Sequence, residues 1–565
     1  MTIKKERTLN LFLVTILVLV LLFIFLLPIV KLVYLSFLSP EGVSFSVYQE
    51  VLTKERTWKV VGNTLVLSGG ATVISLLLGT LFAVLVAYSD LRYKHLIQML
   101  ILLPLIIPSY IIALSWAQLM GPNGLVAQIV HIFLPEWGAW SIYSMEGMVF
   151  VLGISHYPLV YLLTLANLRQ IPRELELAAR TSGASKLQAF MKVTLPLALP
   201  GIANGGLLSF LASLDNFGIP AFLGIPANIS VLSTYIYEQI VGFGPTAFAR
   251  AAVLSVLLGC IALFGTGLNW MVVHKSHVNE TEKEDLQPRF SLQKRRWLSE
   301  GAVWTFLLIT SLLPLISLFL TSLVKAYGLP WRFENLTFKH YLFVLSQDKV
   351  IRGILNSFFL AITTALILLV IGTWIGYMRT RSHKPIWRLL EGIIGMPYAL
   401  PGIVTALAII LVWLEPIPGW NPGIYGSKTI LLIAYITRFS IIQVRASITA
   451  FMQVDPSIEE AARISGSSLY SRWRKILLPL IRSGVLNGSA LVILMALTEL
   501  TLSSILTSSG NETIGVIVFN YEQAGYTTNS TAISSIIVFA ILGGMLLFYF
   551  FQHLAKKENY NGTKD

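Results

Sequence analysis

The sequence predicts an all-α membrane protein with about twelve transmembrane helices, arranged as two parallel six-helix repeats. Three observations carry this. The chain has 565 residues, 55% of them hydrophobic and only 12% charged, against roughly 25% charged in soluble domains. Twelve apolar stretches approach or exceed the roughly 20 residues that cross a bilayer as a helix. The second six stretches repeat the landmarks of the first at a spacing of roughly 283 to 293 positions.

The first apolar run, 11–38, follows Lys4, Lys5 and Arg7. It is longer than a signal-peptide core and no small-x-small cleavage site follows it closely, so it reads as an uncleaved membrane helix. Spans 60–88, 96–120, 146–168, 197–223 and 247–273 complete a first half, residues 1–273. A charged linker, 274–300, contains HKSHVNETEKEDLQPRFSLQKRRW. Spans 301–324, 353–378, 388–414, 428–452, 480–507 and 530–553 form the second half, 301–565. Asn63 in GNTLVLS answers Asn356 in LNSFFLA, and Pro104 and Pro108 in PLIIP answer Pro397 and Pro401 in PYALP. GIANG after Pro196 answers GVLNG after Pro479, and YEQ at 237–239 answers YEQ at 521–523. Order and direction match, which implies a pseudo-twofold axis along the membrane normal.

The formal charge of +13 does not require nucleic acid. With the N-terminus cytoplasmic, the cytoplasmic segments hold 28 Lys and Arg and the outer loops 10, charges at a span's rim being counted with its loop. Lys31, Arg438 and Arg445 lie inside the spans. This bias places both termini and the linker in the cytoplasm.

Two polar loops interrupt the apolar pattern at equivalent places, 170–196 and 453–479. Pro172 and Pro456 stand where a helix can begin. Arg173–Ser182 and Ser457–Ser465 suit short helices, and Gly183 and Gly466 suit C-terminal caps at positive φ. A second basic helix follows each, and Leu195-Pro196 and Leu478-Pro479 are expected to turn the chain back into the membrane. Ala178, Ala179, Ala461 and Ala462 offer small-residue surfaces for close approach. A pair of interfacial helices lying on anionic lipid is the simpler alternative, but it does not explain two copies in register.

The pattern Glu460-Ala461-Ala462, three residues, Gly466, nine residues, Ile476, one residue, Leu478-Pro479 resembles the signature loop of bacterial binding-protein-dependent ABC importer permeases. The first-half copy departs from it at Leu177, where the Glu belongs, and at Val193. The resemblance implies that each loop is a coupling helix docking into a separate ATPase. It implies two copies of that ATPase, an extracytoplasmic solute-binding protein, and a multi-pass chain in the bacterial plasma membrane surrounded by lipid. Glu174 and Glu176 are the nearby candidates to substitute for the missing carboxylate, although they lie on different faces of the first loop helix.

Catalytic motifs are absent. GSKT at 426–429 lacks the Gly-Lys-Ser/Thr order of a phosphate-binding loop and reads as a turn. No HExxH, GxSxG or cysteine-rich metal pattern occurs, and His131, His156 and His340 have no ligand-like spacing. Cys260 is alone, which excludes an internal disulfide, and reads as a small core residue. No cofactor or metal is expected on this chain and it is not expected to be an enzyme. ATP belongs to the partner subunit.

For the path, Pro104/Pro108 and Pro397/Pro401 interrupt helices at matching places and free backbone carbonyls. Charges deep in spans cost roughly 2.5–3.5 kcal/mol on insertion scales and need a reason. Asp215 in ASLDNFGIP and Glu499 in LTELTLSS are such groups. Aligning the two Leu-Pro motifs puts Glu499 opposite Asn216, and Arg438 and Arg445 share a helix face. The two arginines are read either as structural partners of the acids or of helix ends, or as path-lining groups. LDNFGIPAFLG followed by VLSTYIYEQI resembles the fused, twelve-helix ferric-iron permeases, which are similar to permeases for thiamine, 2-aminoethylphosphonate, sugar phosphates and polyamines. Ferric iron is the expected substrate. The rival class is a secondary transporter using Asp215 and Glu499 as proton or cation sites, and the paired loops speak against it.

Overall fold

A computed structural model describes residues 15–561, apart from 40–41, 123, 125, 128–129, 131–139, 243, 245, 274–284, 383 and 415–422, with side chains to residue 547. The start of the first run, His131 and the linker's first eleven residues lie outside the described residues.

Among the described residues, ten helices are long and apolar enough to cross a membrane, and two bent pairs bring the total to twelve. In the first half these are α1 (Thr15–Ser36), α2 (Glu55–Tyr88), the pair α3 (Lys94–Ile106) and α4 (Ser109–Met120), α5 (Met145–Gln170), then, after the short α6 (Arg173–Thr181), α7 (Lys186–Asp215) and α9 (Ala247–Val273). The shorter α8 (Leu232–Val241) lies between α7 and α9. The second half repeats them as α10 (Gln293–Ser322), α11 (Asp348–Arg381), the pair α12 (Ile386–Ala399) and α13 (Gly402–Trp413), α14 (Lys428–Met452), the short α15 (Pro456–Ile464), α16 (Leu469–Leu497) and α19 (Thr527–Asn561). Two shorter helices, α17 (Thr501–Leu506) and α18 (Ile514–Gln523), lie between the last two. A two-residue hairpin pairs Leu38 with Val43 and Ser39 with Gly42.

Two expectations about the helices are corrected and one is sharpened. The spans 96–120 and 388–414 are interrupted at their prolines, as expected. They bend by 102° and 109° at Ile107-Pro108 and Leu400-Pro401, because the residue before proline is pushed out of the helical region. Spans 197–223 and 480–507 also break, α7 ending at Asp215 and α16 at Leu497. Finally, the Leu-Pro pairs do not turn the chain. Leu195 and Leu478 each close a five-residue π-turn, donating to Phe190 O and Trp473 O, and the loop's basic helix runs on into the membrane helix. Leu27-Pro28 and Leu313-Pro314 do the same. Proline cannot donate and its ring would strike the carbonyl four residues back, and a turn one residue wider avoids both problems.

Contacts fix the directions. Ser75 Oγ donates to Gly153 O at 2.9 Å, and Tyr88 Oη to Leu168 O at 2.9 Å, so α2 and α5 run parallel. A Cβ on Gly79 would lie 2.6 Å from Val160 Cβ, and one on Gly372 would lie 2.8 Å from Gln443 Cγ. These two glycines stand at the same sequence offset as Asn63 and Asn356. Only a bare Cα lets each parallel pair approach so closely. Because α5 starts at the end where α2 starts, the intervening segment, whose apolar part is the α3–α4 pair, carries the chain back across. The second half does likewise.

The halves interlock. On α1, Leu21 and Phe25 pack with Trp387, Leu390 and Ile394 of α12, and Phe23 meets Trp413 of α13 edge-on at 5.6 Å. Reciprocally, on α10, Ser311 Oγ donates to Leu100 O of α3 at 3.0 Å, and Phe306 meets Phe82 of α2 at 5.3 Å. Each half's first helix thus covers the bent pair of the other half or its neighbour. Cys260 is exposed on α9, not a core residue as expected. Lipid tails are as apolar as a protein core, so an apolar side chain in a membrane helix has no hydrophobic reason to turn inward. His340 is structural, bonded to Asn529 Oδ1 and Val324 O at 3.0 Å each. Gly426 sits in a turn at φ +76°, and Ser427 caps α14, so GSKT is a turn and helix start.

Candidate functional site

The two repeated loops are built alike. Pro172 caps α6 and Pro456 opens α15, where Asp455 accepts from Ser457 N at 2.8 Å. Gly183 at φ +95° and Gly466 at φ +79° end them, with Ala184 N–H returning to Ala179 O and Ser467 N–H to Ala462 O. These are the expected glycine caps. Neither helix has a buried residue. Leu175, Leu177, Ile458 and Ile464 are exposed, as are Ala178 and Ala461, while Ala179 and Ala462 are half-buried. Glu460 is exposed and has no partner among the described residues, and Leu177 holds the same exposed place in α6.

The preceding acids face inward. Glu459 accepts from Tyr377 Oη at 2.5 Å and from Arg381 at 3.3 Å, and Glu176 pairs with Arg289 at 3.3 Å. Glu176 is therefore engaged and does not replace the missing motif carboxylate, while Glu174 stays exposed. The bracing role of Glu176 and Glu459 was not read from the sequence, where Glu176 was weighed only as a substitute for the missing carboxylate. The signal was available, since Glu176 and Glu459 stand at the same offset as the motif glycines, Gly183 and Gly466. Pro196 and Pro479 lie beyond the π-turns, inside α7 and α16.

The second site lies where α7, α16 and the bent pairs meet. After α7, Asn216 Oδ1 accepts from Ile219 N at 2.9 Å, and after α16, Glu499 Oε1 accepts from Leu502 N at 2.8 Å. The two residues aligned by sequence thus perform the same act, capping the helix that restarts after the break. Asp215, one residue earlier, reaches into the other half. Its carboxylate accepts from Gly402 N, at the start of α13, and from Arg438 of α14. Arg438 also donates to Pro397 O at 2.8 Å, Tyr398 O at 3.4 Å and Leu400 O, the carbonyls freed at the end of α12. The break therefore has a cation at the C-terminal end of one half-helix and an anion at the N-terminal end of the next, as the helix dipoles favour. Arg438 is the structural partner of Asp215 and of a helix end. Arg445, on the same helix, is exposed without a partner among the described residues.

Beside this junction lies a cavity of ≈260 Å³ lined by Pro104, Pro108, Asp215, Asn216, Glu499 and, from the missed residues, His156. Tyr398, Ser109 and Thr498 also face it. Pro397, Pro401 and Arg438 do not line it. His156 Nδ1 lies 3.0 Å from Ser213 Oγ. The bends were legible as proline pairs. His156 was not, because a lone histidine has no spacing to betray it.

An interlocked pair of repeats, each with a bent helix pair, an exposed glycine-capped loop and a share in one central cavity, has the build of a membrane transport subunit. The profile of the binding-protein-dependent transport system inner membrane component matches residues 75–270 and again 369–558. The chain belongs to this family, with both permease units fused. It is 24% identical over 521 residues to the ferric transport system permease protein FbpB of Actinobacillus pleuropneumoniae, covering 90% of this chain and 73% of that one. The Fe(3+)-transport system permease protein FbpB 2 of Haemophilus influenzae is 24% identical over 499 residues, covering 86% and 89%. The molybdenum transport system permease protein ModB of Escherichia coli is 30% identical over 210 residues, covering 36% of this chain and 90% of that one.

Proposed function

We propose that this chain is the membrane subunit of an ATP-driven importer for ferric iron. It receives the solute from an external binding protein and is driven by two copies of a separate ATPase. The two loops support the motor contact: each ends in a positive-φ glycine and presents exposed alanine and leucine or isoleucine to a partner. In this reading Leu177, Ala178, Ala179, Gly183, Glu460, Ala461, Ala462 and Gly466 dock, and ATP stays on the partner. Both termini, the 274–300 linker and the loops face the cytoplasm. Closure of the ATPase pair pulls the two loops together, and the interlocked halves rock about the central cavity. Hydrolysis resets them.

The single observation that favours a cation is the cavity wall. Asp215 and Glu499 both face it; Asp215 and Arg438 offset each other in their ion pair, which leaves the Glu499 carboxyl facing the cavity outside any ion pair among the described residues. Cations are drawn to such a wall. The names of the FbpB relatives agree with this reading. An oxyanion cargo, which the name of the ModB relative suggests, needs a cationic group facing the cavity. The secondary-transporter reading has no use for paired docking loops. The test is ATP-dependent uptake in proteoliposomes carrying permease, ATPase and binding protein, offered labelled ferric iron or molybdate. Iron uptake that needs ATP and is insensitive to a proton ionophore supports the proposal. Molybdate uptake without iron uptake overturns it.

A further inference from the structure

The linker is not a plain tether. Among its described residues, Asp285 N donates to Arg169 O at 2.8 Å, and Arg289 N and Phe290 N both donate to Tyr88 O, at 2.7 and 3.0 Å. Ser291 Oγ and Leu292 N bond Asp90 at 2.8 Å each, and Arg296 pairs with the same carboxylate. The N–H of Leu292, the Ser291 hydroxyl and Arg296 together hold the Asp90 carboxyl at about 2, below its ordinary 3.8. Residues 285–296 are thus fastened across the ends of α2 and α5, at the root of the first docking loop.

Arg289 shows what the fastening does. Its side chain is 3% exposed. It donates to Ile171 O at 2.5 Å, pairs with Glu176 of α6 at 3.3 Å, and lies over the Tyr88 ring, 4.2 Å from its centroid. The second half makes the same two contacts from its own α11. Arg381 donates to Val454 O at 2.8 Å and to Glu459 of α15 at 3.3 Å. Ile171 corresponds to Val454 and Glu176 to Glu459, both at the offset that matches Gly183 with Gly466. The residue equivalent to Arg381, at the offset that matches Asn63 with Asn356, is Tyr88. The first half therefore lacks the arginine that braces the second loop, and the linker delivers one to the same place, seated on the aromatic ring that stands where the arginine is missing.

We infer that residues 285–296 are a strap that supplies Arg289 in place of the absent first-half arginine, so that Arg289 positions the first docking helix as Arg381 positions the second. This rests on the reading of α6 as a docking helix. A guanidinium suits the task because its fork satisfies a loop carbonyl and a carboxylate at once, and its plane stacks on a ring. The fused chain thereby makes the orientation of one loop depend on the joint between the halves.

The experiment is amide hydrogen exchange on the full chain in lipid nanodiscs, followed by transport per ATP in the complete complex. Arg289→Ala is expected to speed exchange across residues 173–183 by ~10-fold or more and to leave 456–466 within ~2-fold of the unaltered chain. Arg381→Ala is expected to do the reverse. Arg289→Lys, which keeps the charge but loses the fork, is expected to fall between and guards against a misfolded Ala variant. Tyr88→Arg combined with Arg289→Ala copies the second-half arrangement and is expected to restore protection at 173–183. Unchanged protection at 173–183 in Arg289→Ala, or equal loosening of both loops, overturns the inference. So does failure of the Tyr88→Arg rescue. Loosening of 173–183 with transport per ATP unchanged upholds the strap and counts against α6 as a docking helix.

Discussion

Replacing Arg438 with Met tests whether the junction between the halves is held by one shared charge pair. The Arg438 side chain is 7% exposed and that of Asp215 is 32% exposed. Deleting one partner of a fully buried pair costs about 3–5 kcal/mol, because the other charge is left uncompensated. Asp215 opens to the cavity along about a third of its surface, where water screens it, so the expected cost is about 2–3 kcal/mol. Met fills similar volume, which keeps a packing void out of the comparison. Asp215→Asn in the Arg438→Met background removes the stranded charge while leaving Oδ1 to accept from Gly402 N. Most of the cost is the stranded charge, so the double variant should recover about 1–2 kcal/mol relative to Arg438→Met alone. Denaturant unfolding of the purified chain in mixed micelles, read as a double-mutant cycle, measures this. A coupling energy under about 0.5 kcal/mol, the scatter expected of independent sites, refutes the reasoning.

Gly466→Val forces a β-branched side chain to φ +79°, costing about 1–2 kcal/mol locally; together with Glu460→Lys it should leave membrane insertion intact and lower transport per ATP. Leu177→Ala should lower it less than Glu460→Ala, and equal losses would show that the missing first-half carboxylate has no weight. Glu499→Gln keeps an oxygen for Leu502 N and so should preserve folding while cutting ferric uptake; Asp215→Asn should do the same, and unaltered uptake in both would remove these residues from the path. Because Asp90 titrates lower folded, at about 2, than its ordinary 3.8, the strap contact it makes is present above about pH 4. It should be lost as pH falls toward 2, read as exchange of the 290–292 amides, and Asp90→Asn should abolish that dependence.

Much of the architecture was legible because lipid as a solvent leaves a simple mark: runs of apolar residues of fixed length. The loops were legible down to the φ of Gly183 and Gly466, because only glycine takes that conformation cheaply. The alignment of Asn216 with Glu499 held at the level of mechanism, both being caps. What escaped the sequence is what hydropathy cannot encode. An apolar window says nothing of direction, so the proline pairs marked the interruptions at Ile107 and Leu400 but not the size of the bends, and the breaks after Asp215 and Leu497 read as continuous spans. The Leu-Pro pairs suggested turns because proline's missing N–H was weighed without the π-turn that accommodates it. Cys260 was placed inside by the habits of soluble cores, which fail where the outside is hydrocarbon. Arg289 was hidden because it stands 118 residues from the carbonyl it serves and looks like any other charge in a basic linker.

The most direct test of the central claim is the mass of the complex formed when the full chain is co-expressed with its ATPase and purified through a tag on the permease. The proposed docking of both loops predicts one permease chain with two ATPase copies, falling to one copy when Gly466→Val and Glu460→Lys disable a single loop. A permease that purifies alone, or with one ATPase both before and after that change, would contradict the account.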